Sequence, residues 1–155
     1  MPKGGSSERV RTTRVFLSYA QRERELAAAV GAELQSRGID AWDEARGITP
    51  GSVWSDTFSS ALEESDSMIA LLSARSFSSE YVRKQLDFAL FDERYKNRLL
   101  PVLVGDSTIA DFVQLPWILT KLEYLKLREA VPMRSAARTV VDAFVKLLAG
   151  AGGRT

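Results

Sequence analysis

The strongest constraint on this chain is an alternation: short apolar runs recur between longer stretches whose apolar residues repeat at helical spacing. "RVFLSY" (14–19), "IDAW" (39–42), "SMIALLS" (67–73) and "RLLPVLVG" (98–105) are the clearest runs, and "LEYLKL" (122–127) is a fifth. Strands separated by helices favour an α/β domain with a parallel sheet covered on both faces, because parallel neighbours need a crossover between them. "SMIALLS" is the most apolar run and is expected in the middle of the sheet. Pro101 is tolerable near the start of the fourth strand or at a local irregularity. Between the runs, Leu26, Val30 and Leu34 recur every four residues on a helix that ends near Arg37 and Gly38. "DEARGITPGS" (43–52) holds two glycines and a proline and reads as a substantial loop. Beyond it, Trp54, Phe58, Ala61 and Leu62 share a helical face. Ser78 or Ser79 can cap the next helix, which buries Val82, Leu86, Ala89 and Leu90. A last helix, from about Ser135 to Leu148, turns Val140, Val141, Phe144 and Leu148 inward.

The length of 155 residues suits one globular domain. Residues 14–149 are expected to form it, with the polar, glycine-containing ends 1–13 and 150–155 as flexible tails or joins to further modules. The 21 basic and 20 acidic side chains leave a formal net charge of +1, so no strong overall field draws the chain to nucleic acid or an anionic membrane. Without cysteine or histidine there is no disulfide, thiol nucleophile or imidazole base, and no thiolate or imidazole metal site is expected. Chemistry must rest on carboxylates, hydroxyls, amides, Arg, Lys, aromatic rings and the backbone. "VFLSYA" is too short for a secretory signal, and no run approaches the ~18 apolar residues that span a bilayer. A cytoplasmic location is the default expectation.

In an open parallel sheet a ligand crevice forms at the carboxyl ends of the strands, where strand order reverses. With the first strand between the second and third, Tyr19 to Arg22, Asp43 to Gly51 and Ser73 to Gln85 converge there. Each has an ordinary alternative: Tyr19, Trp42 and Trp54 as packing residues, Ser73 as a turn or cap, Asp43 and Glu44 as solvated charges. Gln85 is expected beside Tyr81 and Phe88 or Ala89, off the Val82 and Leu86 stripe, at the rim of the crevice. Neither GxxxxGK[ST] nor GxGxxG follows the first strand, which argues against P-loop and Rossmann enzymes.

"RVFLSYA", "LQSRGIDAWDE", "ITPGSVWSDTFSSALEESDSMIALLSARSFSSEYV" and "LPVLV" together resemble a bacterial Toll/interleukin receptor (TIR) domain, from about Arg14 to Leu148. The resemblance implies a flavodoxin-like fold, a five-stranded parallel sheet in the order 2-1-3-4-5 with helices on both faces. It also implies self-association through the loop of residues 43–52. Many such domains cleave the nicotinamide–ribose bond of NAD, which is then substrate and not cofactor; others are adaptors. In the catalytic members a glutamate follows the third strand, in a pattern of serine, any residue, tryptophan, cysteine or valine, two residues, glutamate, leucine. Here the same place reads Ser79-Glu80-Tyr81-Val82-Arg83-Lys84-Gln85-Leu86, so Gln85 falls on the glutamate. A carboxylate stabilises the positive charge that develops on ribose, and a neutral amide keeps only the hydrogen bonds.

Glu80, Asp87 and Asp92 are unsuitably placed to substitute, whereas Asp43 or Glu44 can approach from the loop. The intact surroundings favour a replaced glutamate in an active parent over a natural pseudoenzyme. The resemblance further assigns Tyr19, Ala20, Gln21 and Arg22 to the nucleotide-lining loop, Asp43 and Arg46 to ribose or phosphate contact, and Ser73 to the pocket wall. It implies a homo-oligomer or filament triggered by a fused or partner sensor, a cyclic-nucleotide-responsive one among them, in antiviral defence. The competing class is a non-enzymatic interaction or signalling adaptor module. A phosphate-relay receiver shares the sheet order but wants an aspartate where Ser73 stands.

Overall fold

The computed structural model describes residues 13–42, 60–73, 80–105, 124–127 and 131–152. Strand β1 (Arg14–Ser18) leads through a 3-10 turn (Gln21–Glu23) into helix α1 (Arg24–Ser36) and strand β2 (Asp40–Trp42). Helical residues 60–64 precede β3 (Ser67–Leu72), which is followed by α2 (Glu80–Phe91). A second 3-10 turn (Glu93–Tyr95), β4 (Leu99–Val104), β5 (Leu125–Leu127) and α3 (Met133–Gly152) complete the described fold. The strands form one parallel sheet in the order β2-β1-β3-β4-β5, as expected.

Alternation along each strand divides the core in two. Val15 and Leu17 of β1, Ile69 and Leu71 of β3, and Leu100 and Val102 of β4 meet α1 and α3 through Leu26, Val30, Leu34, Val140, Val141 and Phe144. On the opposite face Phe16, Met68, Ala70, Leu72, Leu99 and Leu103 meet Ala61, Leu62 and the Val82, Leu86 and Ala89 stripe of α2. Every residue of β3 is buried, because a central parallel strand is covered on both faces. Pro101 pairs with Ala70 of β3 and precedes Val102, the first residue paired with β5. Among the described residues no pairing on the β5 side reaches Pro101, and a residue without an N–H is tolerated where a ladder begins.

Helix α1 stops where the sequence indicates. Gly38 adopts φ 78°, its N–H donates to the Gln35 carbonyl, and the Ile39 N–H donates to that of Leu34. This is the Schellman arrangement, which satisfies carbonyls that a helix end would orphan and needs a left-handed residue at that place. Helix α3 begins two residues before Ser135 and runs past Leu148 to Gly152, into the stretch expected as a tail. Its alanine and leucine content carries the helix through the glycines. Trp54, Phe58, the 43–52 loop and the Ser78 or Ser79 cap lie outside the described residues. Among the described residues no helix is long and apolar enough to cross a membrane.

The two ends of the sheet differ in their polar groups. At the amino ends, Arg14 reaches Asp40 at 2.8 Å and Glu64 at 3.1 Å, and the Arg98 Nε donates to the Asp66 carbonyl at 2.9 Å. The Arg14 ion pairs are partly exposed, and such pairs contribute at most ~1 kcal/mol each. Tyr95 lies beneath this end, 1 % exposed, with its hydroxyl donating to the Leu62 carbonyl at 2.5 Å. Burial raises the Tyr95 pKa above its usual 10.0, because the phenolate would be desolvated. The unfolded chain then loses this proton before the folded chain does, so the contribution is fully present below about pH 10 and is lost as pH rises further. The denaturant midpoint is expected to fall above that pH, and Tyr95→Phe is expected to flatten that part of the slope.

Candidate functional site

At the carboxyl ends of β1 and β3 the buried groups are polar and come from elements far apart in sequence. Alternation along β1 places Ser18 on the face of Phe16, toward α2. On α2, positions 82, 85, 86 and 89 follow the i, i+3, i+4, i+7 rule of a buried stripe. Gln85 therefore lies within the apolar stripe, 2 % exposed, and not beside it at the rim as the sequence suggested. Its three-residue spacing from Val82 is the physical reason.

The Ser18 hydroxyl, itself fully buried, donates to the Gln85 Oε1 at 2.7 Å. A buried hydroxyl and amide each cost stability unless paired, and this bond offsets both. The pair can be dissected by a double-mutant cycle. Ser18→Ala or Gln85→Leu alone is expected to cost about 1–3 kcal/mol, since each leaves a buried partner unsatisfied. The double replacement is expected to recover most of that loss in chemical denaturation. Recovery would mean that stability alone does not require polar groups here.

A second pair joins the turn after β1 to the end of β3. Glu23, 6 % exposed, accepts at Oε2 from the Ser73 hydroxyl at 3.2 Å. Glu23 occupies the N-cap position of α1, where a carboxylate ordinarily accepts from the first free N–H groups. It makes no such side-chain cap bond. Sequence reasoning missed Glu23, although Glu23, Leu26, Ala27, Val30 and Leu34 keep the i, i+3, i+4, i+7, i+11 spacing. A carboxylate on an apolar stripe was the signal available.

The other expected site residues are distributed as follows. Tyr19 is 5 % exposed and packs with the α1 and α3 core, while Ala20 packs against the α2 side. Arg22 is exposed, and Gln21 contributes its backbone to the 3-10 turn, its side chain lying outside the described residues. Ser73 meets Glu23. Asp43 and Arg46 lie outside the described residues. Trp42, named as a packing residue, stacks on Phe16 with ring centroids 4.9 Å apart. Asp87 is exposed on α2, and Asp92 accepts from Arg94, so neither joins Gln85.

The arrangement thus offers a neutral amide, two hydroxyls and one buried carboxylate. These are hydrogen-bonding and electrostatic groups, suited to a polar ligand with hydroxyls. Among the described residues no group of three or more His, Cys, Asp or Glu side chains could hold a metal ion.

Comparison with known proteins agrees with this architecture. A search of curated proteins found no match. A metazoan TIR-STING receptor from C. gigas, solved in complex with 2',3'-cGAMP, is 25% identical with a TM-score of 0.64, over 81% of this chain and 38% of that one. The chain thus spans well under half of that receptor. The TIR domain of the Toll-related receptor TRR-2 from Hydra magnipapillata is 22% identical over 86% of this chain and 96% of its own, with a TM-score of 0.62. The TIR domains of the activated Roq1 resistosome, which directly recognizes the pathogen effector XopQ, are 15% identical over 84% and 98%, with a TM-score of 0.67. The last two likenesses concern the fold alone. The family model described as TIR domain matches residues 15–141, most of the chain and all five strands, and the chain belongs to the TIR domain family.

Proposed function

We propose that this chain is the TIR module of an NAD-cleaving effector, with a crevice that binds NAD and a glutamine that leaves cleavage weak or absent. The observation that carries this reading is the placement of Gln85, buried at the carboxyl end of the sheet and bonded to Ser18. That is the position where the family pattern has its glutamate.

In the reaction the bond between ribose C1′ and the nicotinamide nitrogen breaks, and its electron pair stays on the nitrogen. Water then bonds to C1′ and releases a proton to solvent. Positive charge develops on the ribose, where an ionised carboxylate would contribute most. The Gln85 amide can hold ribose hydroxyls without supplying that charge.

The parent protein in this reading acts in the cytoplasm of a bacterium, depleting NAD in antiviral defence once its TIR domains assemble. Support for a sensor-coupled assembly comes from similarity to a TIR-STING receptor solved in complex with 2',3'-cGAMP. Self-association through residues 43–52 and a fused or partner sensor belong to the same proposal. A second reading, a non-enzymatic interaction module, is favoured by one observation: residue 85 is neutral.

Nicotinamide release from NAD by this chain and by Gln85→Glu, at concentrations that permit assembly, separates the two. Release by the glutamate form alone supports the enzyme reading, and silence from both with assembly verified supports the interaction module.

A further inference from the structure

We propose that Ser18 is the positioning residue of this site: its hydroxyl fixes the direction of side chain 85 and, where that side chain is a carboxylate, keeps it ionised; this rests on the NAD reading above. Ser18 is the last residue of β1 and is held in register with Ala70 of β3, so the sheet and not a loop sets its place. Alternation along β1 puts it on the inner face with Phe16. Neither residue has exposed surface, and an aliphatic side chain is the ordinary occupant of such a position. The hydroxyl found there is directed to residue 85, donating at 2.7 Å across 67 positions of sequence.

A donor so placed matters more to a carboxylate than to an amide. Burial favours the neutral acid, and a hydrogen bond donated to the ionised form opposes that preference. Among the described residues, β3 and β4 bring no ionisable side chain to this face, and Arg14 of β1 pairs with Asp40 of β2 and with Glu64 at the other end of the sheet. Arg22 in the turn after β1 is exposed, as are Glu63 and Glu64 in the helical residues 60–64. On α2 itself Lys84 and Asp87 are exposed and Arg83 is half-buried. Past its last residue Asp92 pairs with Arg94, and the Tyr95 hydroxyl is directed to the Leu62 carbonyl. Glu23, a buried carboxylate, belongs to the start of α1 on the opposite face.

The test is nicotinamide release measured against pH for Gln85→Glu and for Gln85→Glu combined with Ser18→Ala. Without the donor the ionised form is less favoured, so the carboxyl takes up its proton at higher pH. The acidic limb of the profile is expected to move upward by roughly one pH unit or more, the size expected for losing a hydrogen bond to a charged group. Release at neutral pH falls accordingly and recovers in alkali, with KM little changed. A merely structural Ser18 would lower the unfolding midpoint and leave the limb in place. An unmoved limb in a folded variant therefore overturns the assignment, whether or not the overall rate falls. Should Ser18→Ala fail to fold, Ser18→Cys nearly keeps the size and offers a weaker donor, and a shift in the same direction is expected.

Carbon-13 NMR of the side-chain carboxyls follows the same proton without turnover. The signal that Gln85→Glu adds to the spectrum is expected to titrate at higher pH once Ser18 is replaced. If it does so while Gln85→Glu releases no nicotinamide, the NAD reading falls and the hold of Ser18 on side chain 85 stands. If nicotinamide is released but neither the limb nor the signal moves, the Ser18 assignment alone falls.

Discussion

Gln85→Glu is expected to release nicotinamide from NAD at least about a hundredfold faster than the chain carrying glutamine, the usual worth of a preorganised electrostatic group. The two side chains have nearly the same shape, and the Ser18 hydroxyl that donates at 2.7 Å to the amide oxygen can donate equally to a carboxylate. The exchange therefore changes charge with little repacking. Burial gives the charge its effect, because a field acting on ribose is screened far less in a water-poor site than at the surface. The same burial has a cost. Desolvation destabilises the ionised form, so Gln85→Glu is expected to be less stable than the present chain at neutral pH. Its turnover should decline as pH falls and the carboxylate takes up a proton, and its stability should recover over the same interval. A gain of stability with no turnover would sink the enzyme reading, whereas equal turnover by both forms would move the essential charge elsewhere, with Glu23 the first residue to examine.

The fold was legible because its signals are repetitive. Each strand shows as a short apolar run, α1 shows in Leu26, Val30 and Leu34, and Gly38 marks a helix end that only a left-handed residue closes. The site was legible only where a pattern named a single residue. Gln85 is marked by its place in the family pattern, yet it lies deeper than the crevice rim expected for it, because its spacing from Val82 and Leu86 puts it on the inner face of α2. Glu23 was lost for the same reason. It sits among Arg22, Arg24 and Glu25, and charged neighbours conceal a buried carboxylate unless helical spacing is carried back into the preceding turn. The bond between Glu23 and Ser73 spans 50 positions, and no local pattern reports such a pair.

Phe144→Ala is expected to lower the unfolding free energy by about 3–5 kcal/mol, the range for deleting a large buried aromatic side chain. Phe144 has no exposed surface and lies on the α3 stripe with Val140 and Val141, in the same core as Val15, Leu17 and Ile69 of the sheet. The TIR family match ends at residue 141, short of this side chain, while α3 continues to Gly152. If the physical domain ended with the match, residues beyond 141 would be dispensable. The packing argues otherwise: Leu147 and Leu148 also cover that core, and Arg37, just past the end of α1, meets Asp142 at 2.9 Å. The ion pair is too exposed to matter greatly. Truncation after Val141 should therefore cost at least as much as Phe144→Ala, and more than neutralising Asp142. Because a typical domain holds only about 5–15 kcal/mol in reserve, such a truncation is expected to approach the limit of a stable fold. Denaturant midpoints of the three variants decide the order. A truncated chain as stable as the intact one would mean that α1 and the sheet close their core without the last turns of α3, and that the apolar area there is covered by something other than Phe144.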